Sequence, residues 1–199
     1  MLINDMNVRK DFKIISDWIQ SKSRVLDLGC GDGSLLKILR ERKTVYGYGI
    51  DMDTEKVIKA IDNKVDVIQG NINSKLDYFS DKSFDYVILA QSLQVVDNPV
   101  SLIREMLRIG NEVIISFPNM GFWRSRFQLF FEGQMPVTNE LPHKWYDTPN
   151  IHLCTIKDFR KMCAIYNFTI IEEVINGSGR SSTDFLTNLF GESAIFKLK

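Results

Sequence analysis

The fold of this chain is decided by residues 25–33, which read VLDLGCGDG. The first four residues form a mostly apolar run typical of a buried strand, and the other five include three glycines. Leu35, Leu36 and Leu39 follow at helical spacing, so the stretch predicts a strand, a tight turn and a helix. Glycines at such a turn let the backbone bend sharply and let a ligand approach the main chain.

Strand patterns alternate with helical patterns on both sides of this turn. Further strands are predicted near residues 44–50, 65–69, 84–90 and 112–117, and helices near residues 7–20, 54–61, 99–109 and 156–166. Such alternation indicates βαβ units. We therefore expect a three-layer α/β fold whose doubly wound, mostly parallel sheet is covered by helices on both faces.

The pattern changes after Pro118, where an aromatic-rich and proline-punctuated excursion occupies residues 119–150. Beyond the helix that follows, the sequence predicts two strands and a flexible turn, at residues 168–175, 194–198 and 177–182. We see no internal repeat and no low-complexity tract. The expectation is one domain over residues 1–199 that carries the excursion.

Composition and charge argue against several classes of protein. The 25 basic residues balance the 25 acidic ones, whereas nucleic-acid-binding domains usually carry a basic excess. The start of the chain has no apolar signal region, and no apolar run approaches the ~18 residues that a membrane span needs. The three cysteines form no CxxC pair, and the two histidines cannot build a zinc site. We expect a cytoplasmic protein with no metal, nucleic-acid or membrane partner.

The glycine turn is acidic, which indicates the ligand it would accept. Asp27 and Asp32 lie in or beside it, and no Lys or Arg occurs between Arg24 and Lys37. Carboxylates disfavour a diphosphate, and Ser34 stands where a dinucleotide fingerprint requires glycine or alanine, so a nicotinamide dehydrogenase is disfavoured. A cationic ligand, such as a sulfonium that carries an ammonium group, suits the turn better. The structural alternative is a tight turn that binds nothing.

Polar residues follow the ends of the next three predicted strands. Asp51 ends the second strand, where it would accept hydrogen bonds from both ribose hydroxyls of an adenosine, and Met52 would pack on the adenine. Asn71, after the third strand, would bind the adenine edge or is only a turn residue. Gln91, after the fourth, would touch the methionine moiety of a cofactor or the substrate. Asp51 would otherwise cap the next helix, but Asp53 is better placed for that role.

These features resemble a known superfamily. In chain order, residues 29–33, Asp51, Asn71 and the segment after the fourth strand resemble the motifs of class I S-adenosylmethionine-dependent methyltransferases. The resemblance implies a Rossmann-like sheet of seven strands that ends in an antiparallel hairpin, formed by the last two predicted strands. It also implies S-adenosylmethionine as cofactor and S-adenosylhomocysteine as product. The candidate cofactor-binding residues are Asp27, Gly29, Cys30, Gly31, Gly33, Asp51, Met52, Asn71 and Gln91.

Three further segments resemble one family within that superfamily. Residues 85–94, 116–124 and 145–155 are similar to the MetW methionine-biosynthesis family, and the resemblance extends over about residues 10–175. It implies a link to methionine biosynthesis, where the family is associated with homoserine O-acyltransferase.

One hypothesis is that the protein is a methyltransferase acting on a small molecule. An acidic acceptor would require a base in addition to correct positioning. His152 is the candidate because it precedes a helix at the expected active-site edge of the sheet, with Tyr146 and Asp147 as less favoured helpers. His152 would otherwise be a residue at the start of a helix that is hydrogen-bonded to backbone. His143, in a proline-flanked loop, is predicted to lie on the surface.

A second hypothesis is a non-catalytic, cofactor-binding subunit that docks on the acyltransferase and supports it. The aromatic-rich residues 122–131 motivate this hypothesis together with the family association. If the segment is helical, four aromatic rings share one face: Trp123, Phe127, Phe130 and Phe131. The segment would also fit a lid over a substrate pocket, or a satellite core beneath the loop of residues 133–150.

Overall fold

The computed structural model describes residues 9–74, 76–177 and 184–199, which form one sheet of seven strands. The strands are β1 (Arg24–Leu28), β2 (Tyr46–Asp51), β3 (Asp66–Gln69), β4 (Phe84–Ala90), β5 (Gly110–Pro118), β6 (Ile170–Asn176) and β7 (Ser193–Leu198). Their order is β3-β2-β1-β4-β5-β7-β6, and β7 runs antiparallel to both neighbours while the other pairs are parallel. The predicted mostly parallel sheet and its C-terminal antiparallel hairpin are therefore confirmed.

Helices cover both faces of the sheet. They are α1 (Lys10–Trp18), α2 (Ser34–Lys43), α3 (Thr54–Asp62), α4 (Pro99–Ile109), α5 (Trp123–Phe127), α6 (Ile156–Tyr166) and α7 (Asp184–Phe190). Apolar side chains of α4 and α6 pack on one face, and those of α1, α2 and α3 pack on the other. This is the predicted three-layer arrangement. Within the described ranges, no helix combines the length and the apolar character that crossing a membrane requires.

Strand β4 is buried on both faces because it lies at the centre of the sheet. Val87 and Leu89 belong to the core beneath α4 and α6, whereas Tyr86 and Ile88 belong to the core on the opposite face. A strand covered on both sides needs a nearly continuous apolar run instead of alternation. This requirement explains why residues 84–90 predict a central strand.

Two helices differ from the sequence-based expectation. The opening helix ends at Trp18 instead of near residue 20, and its first predicted residues lie outside the described ranges. Helix α7, before β7, is not predicted, because seven residues are about two turns and show little periodicity. Apart from Gly177, the turn predicted at residues 177–182 lies outside the described ranges.

The carboxyl ends of the five parallel strands lie along one edge of the sheet, and the strand order reverses at β1. The glycine turn after β1 is therefore flanked by the end of β2 on one side and the end of β4 on the other. In open α/β sheets, ligand sites form at such a reversal. The fold brings Asp51, Asn71 and Gln91 to the same edge as the turn.

Gly31 and Gly33 form a matched pair that tests why the turn requires glycine. Both have a left-handed backbone, with φ of +58° and +73°. A Cβ added at Gly33 would lie 2.9 Å from Cγ2 of Val65, whereas one added at Gly31 would meet nothing within 4 Å. We expect Gly31→Ala to lower the free energy of unfolding by about 1–2 kcal/mol through backbone strain. Gly33→Ala should lower it by about 2–5 kcal/mol, because overpacking adds to the strain.

Urea denaturation of both variants measures the two losses. Equal losses would show that crowding against Val65 contributes nothing and would contradict the packing account.

Candidate functional site

Asp51 is held at the end of β2 by backbone groups on both of its carboxylate oxygens. The Gly31 N–H donates to Oδ2 (2.8 Å), and the Asp53 N–H donates to Oδ1 (3.0 Å). A carboxylate offers about four acceptor positions, so about two remain for a ligand. Asp53, and not Asp51, caps α3 by accepting hydrogen bonds from the N–H groups of Glu55 and Lys56, as the sequence favours.

A cavity of about 870 Å³ opens at this edge of the sheet, a volume within the range of small-molecule sites. Its wall is formed by the turn after β1, the ends of β2 to β5, the start of α1 and the loop near residues 140–150. Seven predicted cofactor-binding residues line it: Gly29, Cys30, Gly31, Asp51, Met52, Asn71 and Gln91. Asp27 and Gly33 are buried and do not line the cavity, so any effect they have on a ligand is indirect.

Asp27 is buried behind the glycine turn, with 2% of the residue exposed. Its Oδ1 has no hydrogen-bond partner among the described residues. Burial raises the pKa of Asp27 to about 7; the Arg9 guanidinium opposes this shift, and the carboxylates of Asp51 and Asp11 add to it. A positive charge in the neighbouring cavity would favour the ionised carboxylate. The buried acid therefore fits a cationic ligand.

Arg9 is a cavity residue that sequence reasoning missed. Its guanidinium pairs with both oxygens of Asp11, at 3.1 and 2.6 Å, and the Ser116 hydroxyl of β5 donates to the same carboxylate (2.9 Å). These bonds fix the start of α1 against the end of β5 and bring Arg9 into the cavity wall. The apolar stripe of α1 predicts burial of one helix face but carries no signal for these polar contacts.

A loop after α5 supplies the far wall of the cavity. The Gln128 amide binds both backbone groups of Val137, donating to its carbonyl (3.2 Å) and accepting from its N–H (2.8 Å). This clamp holds the loop against the short π-helix Gln128–Glu132. Further along the loop, Glu140 and His143 line the cavity. His143 is exposed, as predicted, but it also forms part of the cavity wall.

His152 does not line the cavity. The backbone N–H of His152 donates to the Gln94 carbonyl (3.0 Å), and its ring Nε2 lies 3.2 Å from the Asp97 carbonyl oxygen. Tyr146 and Asp147 are exposed and do not line the cavity either. This placement agrees with one part of the alternative interpretation of His152, the hydrogen bonding to backbone, but α6 begins only at Ile156, four residues later.

Cys30 lines the cavity but is not suited to nucleophilic chemistry. Burial raises the pKa of its thiol to about 12, and the nearby carboxylates of Asp27 and Asp51 contribute to the shift. Only the thiolate is a good nucleophile, so Cys30 contributes a neutral, compact side chain to the wall.

The aromatic-rich segment does not form a satellite core. Four of its rings, which we call the aromatic surface, are between 42% and 81% exposed: Trp123, Phe127, Phe130 and Phe131. Phe131 contacts both neighbouring phenylalanines, with ring centroids 4.7 and 4.8 Å apart. None of the four rings lines the cavity. The segment thus presents an exposed apolar patch, which remains compatible with docking.

The strand order, the glycine turn after β1 and the acidic residue at the end of β2 define a class I, Rossmann-like methyltransferase fold. A crystal structure of an S-adenosylmethionine-dependent methyltransferase from Mesorhizobium loti superposes with a TM-score of 0.68. It covers 94% of this chain and 95% of that one, at 14% identity. A likeness at this identity establishes the fold and leaves the reaction open.

The chain belongs to the family of the methionine biosynthesis protein MetW, whose model matches residues 9–198. It is 35% identical over 204 residues to the bifunctional methionine biosynthesis protein MetXA/MetW of Rhodopirellula baltica, an alignment that covers 96% of this chain. The chain spans about a third (33%) of that relative's length. It is also 26% identical over 210 residues to a demethylmenaquinone methyltransferase of Listeria monocytogenes, covering 90% of this chain and 88% of the relative.

Asp27→Asn tests the raised pKa of the buried carboxyl. The folded protein keeps this proton up to about pH 7, whereas the unfolded chain releases it near pH 3.8. The stability contributed by the carboxyl is therefore complete below its unfolded pKa and is lost as the pH rises through the window to the folded pKa. Asparagine cannot ionise, so the variant should gain stability relative to wild type by up to about 4 kcal/mol between pH 4 and pH 8.

Urea unfolding of the ligand-free proteins at several pH values measures this difference. Asp62→Asn, at an exposed position of α3, is the matched control and should show no such trend. A difference between Asp27→Asn and wild type that stays constant with pH would contradict the account.

Proposed function

We propose that the protein binds S-adenosylmethionine in this cavity and transfers a methyl group to a small molecule. The observation that carries the proposal is the Asp51 carboxylate, oriented by two backbone N–H groups and left with free acceptor positions. This arrangement suits the two ribose hydroxyls of an adenosine. The buried Asp27 Oδ1, which has no hydrogen-bond partner in the described part of the chain, supports a positively charged ligand in particular.

Two further residues would hold the adenine. Oδ1 of Asn71 accepts a hydrogen bond from the Asn73 N–H (2.9 Å), which orients the amide and leaves its NH₂ group for an adenine nitrogen. Met52 is 67% exposed beside Asp51, so its side chain would cover one face of the ring. These roles are the ones that the sequence suggests for both residues.

S-adenosylmethionine supplies a methyl group bound to a positively charged sulfur. Transfer by in-line displacement requires chiefly that the acceptor be positioned and separated from water. An acceptor that must lose a proton also needs a base within reach. We assign that role to His143, which lines the cavity, in place of His152, whose ring is bound to backbone elsewhere.

Similarity to named methyltransferases supports this proposal. The Listeria monocytogenes relative is named a demethylmenaquinone methyltransferase, and its alignment covers 90% of this chain. The Mesorhizobium loti methyltransferase shares the fold.

Asp51→Ala should weaken the binding of S-adenosylmethionine about ten- to hundredfold, because hydrogen bonds to a charged group contribute about 1.5–3 kcal/mol. Isothermal titration calorimetry of wild type and variant measures the change, with Asp62→Ala as the control at an exposed position of α3. Unchanged affinity in Asp51→Ala would show that the ribose does not contact this carboxylate. Failure of the wild type to bind would contradict the cofactor proposal itself.

A second candidate function is a non-catalytic subunit that docks on a homoserine O-acyltransferase and supports it. The bifunctional relative from Rhodopirellula baltica joins MetXA and MetW in one chain, and this chain matches one part of it. The aromatic surface lies beside Arg124 and Arg126, and exposed aromatic and arginine side chains are typical anchors of interfaces.

Two measurements separate the candidates. A methyltransferase forms S-adenosylhomocysteine when it is supplied with S-adenosylmethionine and a cell extract as the source of acceptors. A docking subunit co-purifies with the acyltransferase, and the double variant Phe130→Ser/Phe131→Ser should then reduce the recovered complex about tenfold or more. Tyr46→Ser, at a similarly exposed aromatic on β2, is the control. Recovery that does not change in the double variant would exclude the aromatic surface as the docking site.

A further inference from the structure

A small niche adjoins the main cavity beside His143. His143 and Asn150 line both spaces, so the two spaces meet at these residues. The niche has a volume of about 40 Å³, whereas one water-sized group needs roughly 10–15 Å³. It therefore has room for a ligand group of about three heavy atoms.

The walls of the niche are apolar. Six of the side chains that line it are aliphatic, aromatic or thioether groups: Met120, Met135, Pro136, Leu141, Trp145 and Leu153. Among the described residues that line it, none is a lysine, an arginine, an aspartate or a glutamate. A carboxylate or an ammonium group placed here would lose its water without meeting an opposite charge, which is costly. The niche therefore selects for an apolar group.

Three of the apolar side chains remain partly open to water. The exposed fraction is 43% for Met135, 45% for Leu153 and 72% for Trp145. An apolar ligand group that covers such side chains gains binding free energy in proportion to the area removed from water. Met135 suits this contact because its unbranched thioether adapts to the shape of what it touches.

Backbone hydrogen bonds hold the walls of the niche in place. The N–H of Met120, two residues after β5, donates to the Cys154 carbonyl (3.0 Å). The Ile151 N–H donates to the Gln94 carbonyl (2.9 Å), which ties the loop to the segment after β4. Leu141 is buried and anchors the middle of the loop. The shape of the niche is therefore set before a ligand arrives, which lowers the cost of binding.

The groups at the mouth of the niche are polar. Within the described ranges, neither the imidazole of His143 nor the side-chain amide of Asn150 makes a hydrogen bond. The Asn150 backbone N–H donates to the Thr148 hydroxyl (3.1 Å), which fixes the backbone at this residue. A neutral imidazole accepts a proton, and an amide both donates and accepts hydrogen bonds. A hydroxyl or thiol thus finds partners at the mouth while an apolar group attached to it lies in the niche.

We propose that the methyl acceptor is a small, uncharged molecule that consists chiefly of a hydroxyl or thiol bonded to a short apolar group, and that this apolar group occupies the niche. The inference rests on the proposed function, because it names the class of acceptor. The hydroxyl or thiol gives its proton to His143, and its oxygen or sulfur forms a bond to the methyl carbon. The bond between that carbon and the sulfonium sulfur breaks, and its electron pair stays on the sulfur. The products are the methylated acceptor, S-adenosylhomocysteine and a protonated imidazole.

A tritiated methyl group reports the chemical class of the acceptor. The protein is supplied with S-adenosylmethionine labelled in its methyl group and with a cell extract as the source of acceptors, and the same extract without the protein gives the background. Extraction with ethyl acetate at neutral pH separates uncharged, apolar products from charged compounds, which include the remaining S-adenosylmethionine. We expect the transferred tritium, counted against the S-adenosylhomocysteine formed, to be recovered chiefly in ethyl acetate. Recovery of the transferred tritium in the aqueous phase would overturn the proposed class of acceptor.

Met135→Gln tests whether the niche holds the apolar group. The substitution keeps the length of the side chain but places a polar amide in the niche, so the tritium recovered in ethyl acetate should fall about tenfold. Met135→Leu stays apolar and should retain about half of the wild-type recovery or more. Ile165→Gln, at an exposed position of α6 outside both spaces, is the control. Isothermal titration calorimetry should show S-adenosylhomocysteine affinities within about twofold of wild type for all three variants, since Met135 does not line the main cavity.

The outcomes separate this inference from the function on which it rests. If wild type forms S-adenosylhomocysteine but Met135→Gln recovers as much tritium as wild type, or Ile165→Gln loses as much as Met135→Gln, the niche is overturned while methyl transfer stands. If wild type forms no S-adenosylhomocysteine above the background, both the acceptor niche and the proposed methyl transfer are overturned.

Discussion

Three hydrogen bonds tie the turn after β1 to the end of β2, and the geometry of the site depends on them. The N–H groups of Gly29 and Cys30 donate to the Ile50 carbonyl at 2.7 and 3.0 Å, and the Gly31 N–H donates to the Asp51 carboxylate. The turn and the strand end therefore orient each other. A carboxylate fixed in this way needs no ordering when a ligand arrives, which lowers the cost of binding.

Buried negative charge is the second constraint on the site. The carboxylates of Asp11 and Asp51 are close enough to raise the pKa of Asp27. Arg9 is the cation that opposes them. Protonation of Asp27 relieves this excess in the free protein, and a positively charged ligand would relieve it in the complex. The same arrangement disfavours a diphosphate, because its charge would add to the excess.

The parts of the site that follow from local pattern are predictable from sequence, and those that depend on distant contacts are not. Residues 25–33 and Asp51 stand at strand ends, and parallel strands bring such ends to one edge, so their proximity follows from the alternation of elements. His143 and Glu140 lie in a loop without periodicity, and clamps elsewhere in that loop hold it in place. His152 precedes α6 by four residues, and hydrogen bonds with carbonyls more than fifty residues away in sequence hold it outside the cavity. Helical spacing likewise groups the rings of the aromatic surface without indicating whether another element covers them.

A crystal structure of the protein with S-adenosylhomocysteine tests the central claim most directly. The account predicts ribose hydroxyls within hydrogen-bonding distance of the Asp51 carboxylate and the adenine beside Asn71. Ligand density outside this cavity, or an adenosine placed at the β5 end with the amino acid at Asp51, would contradict it.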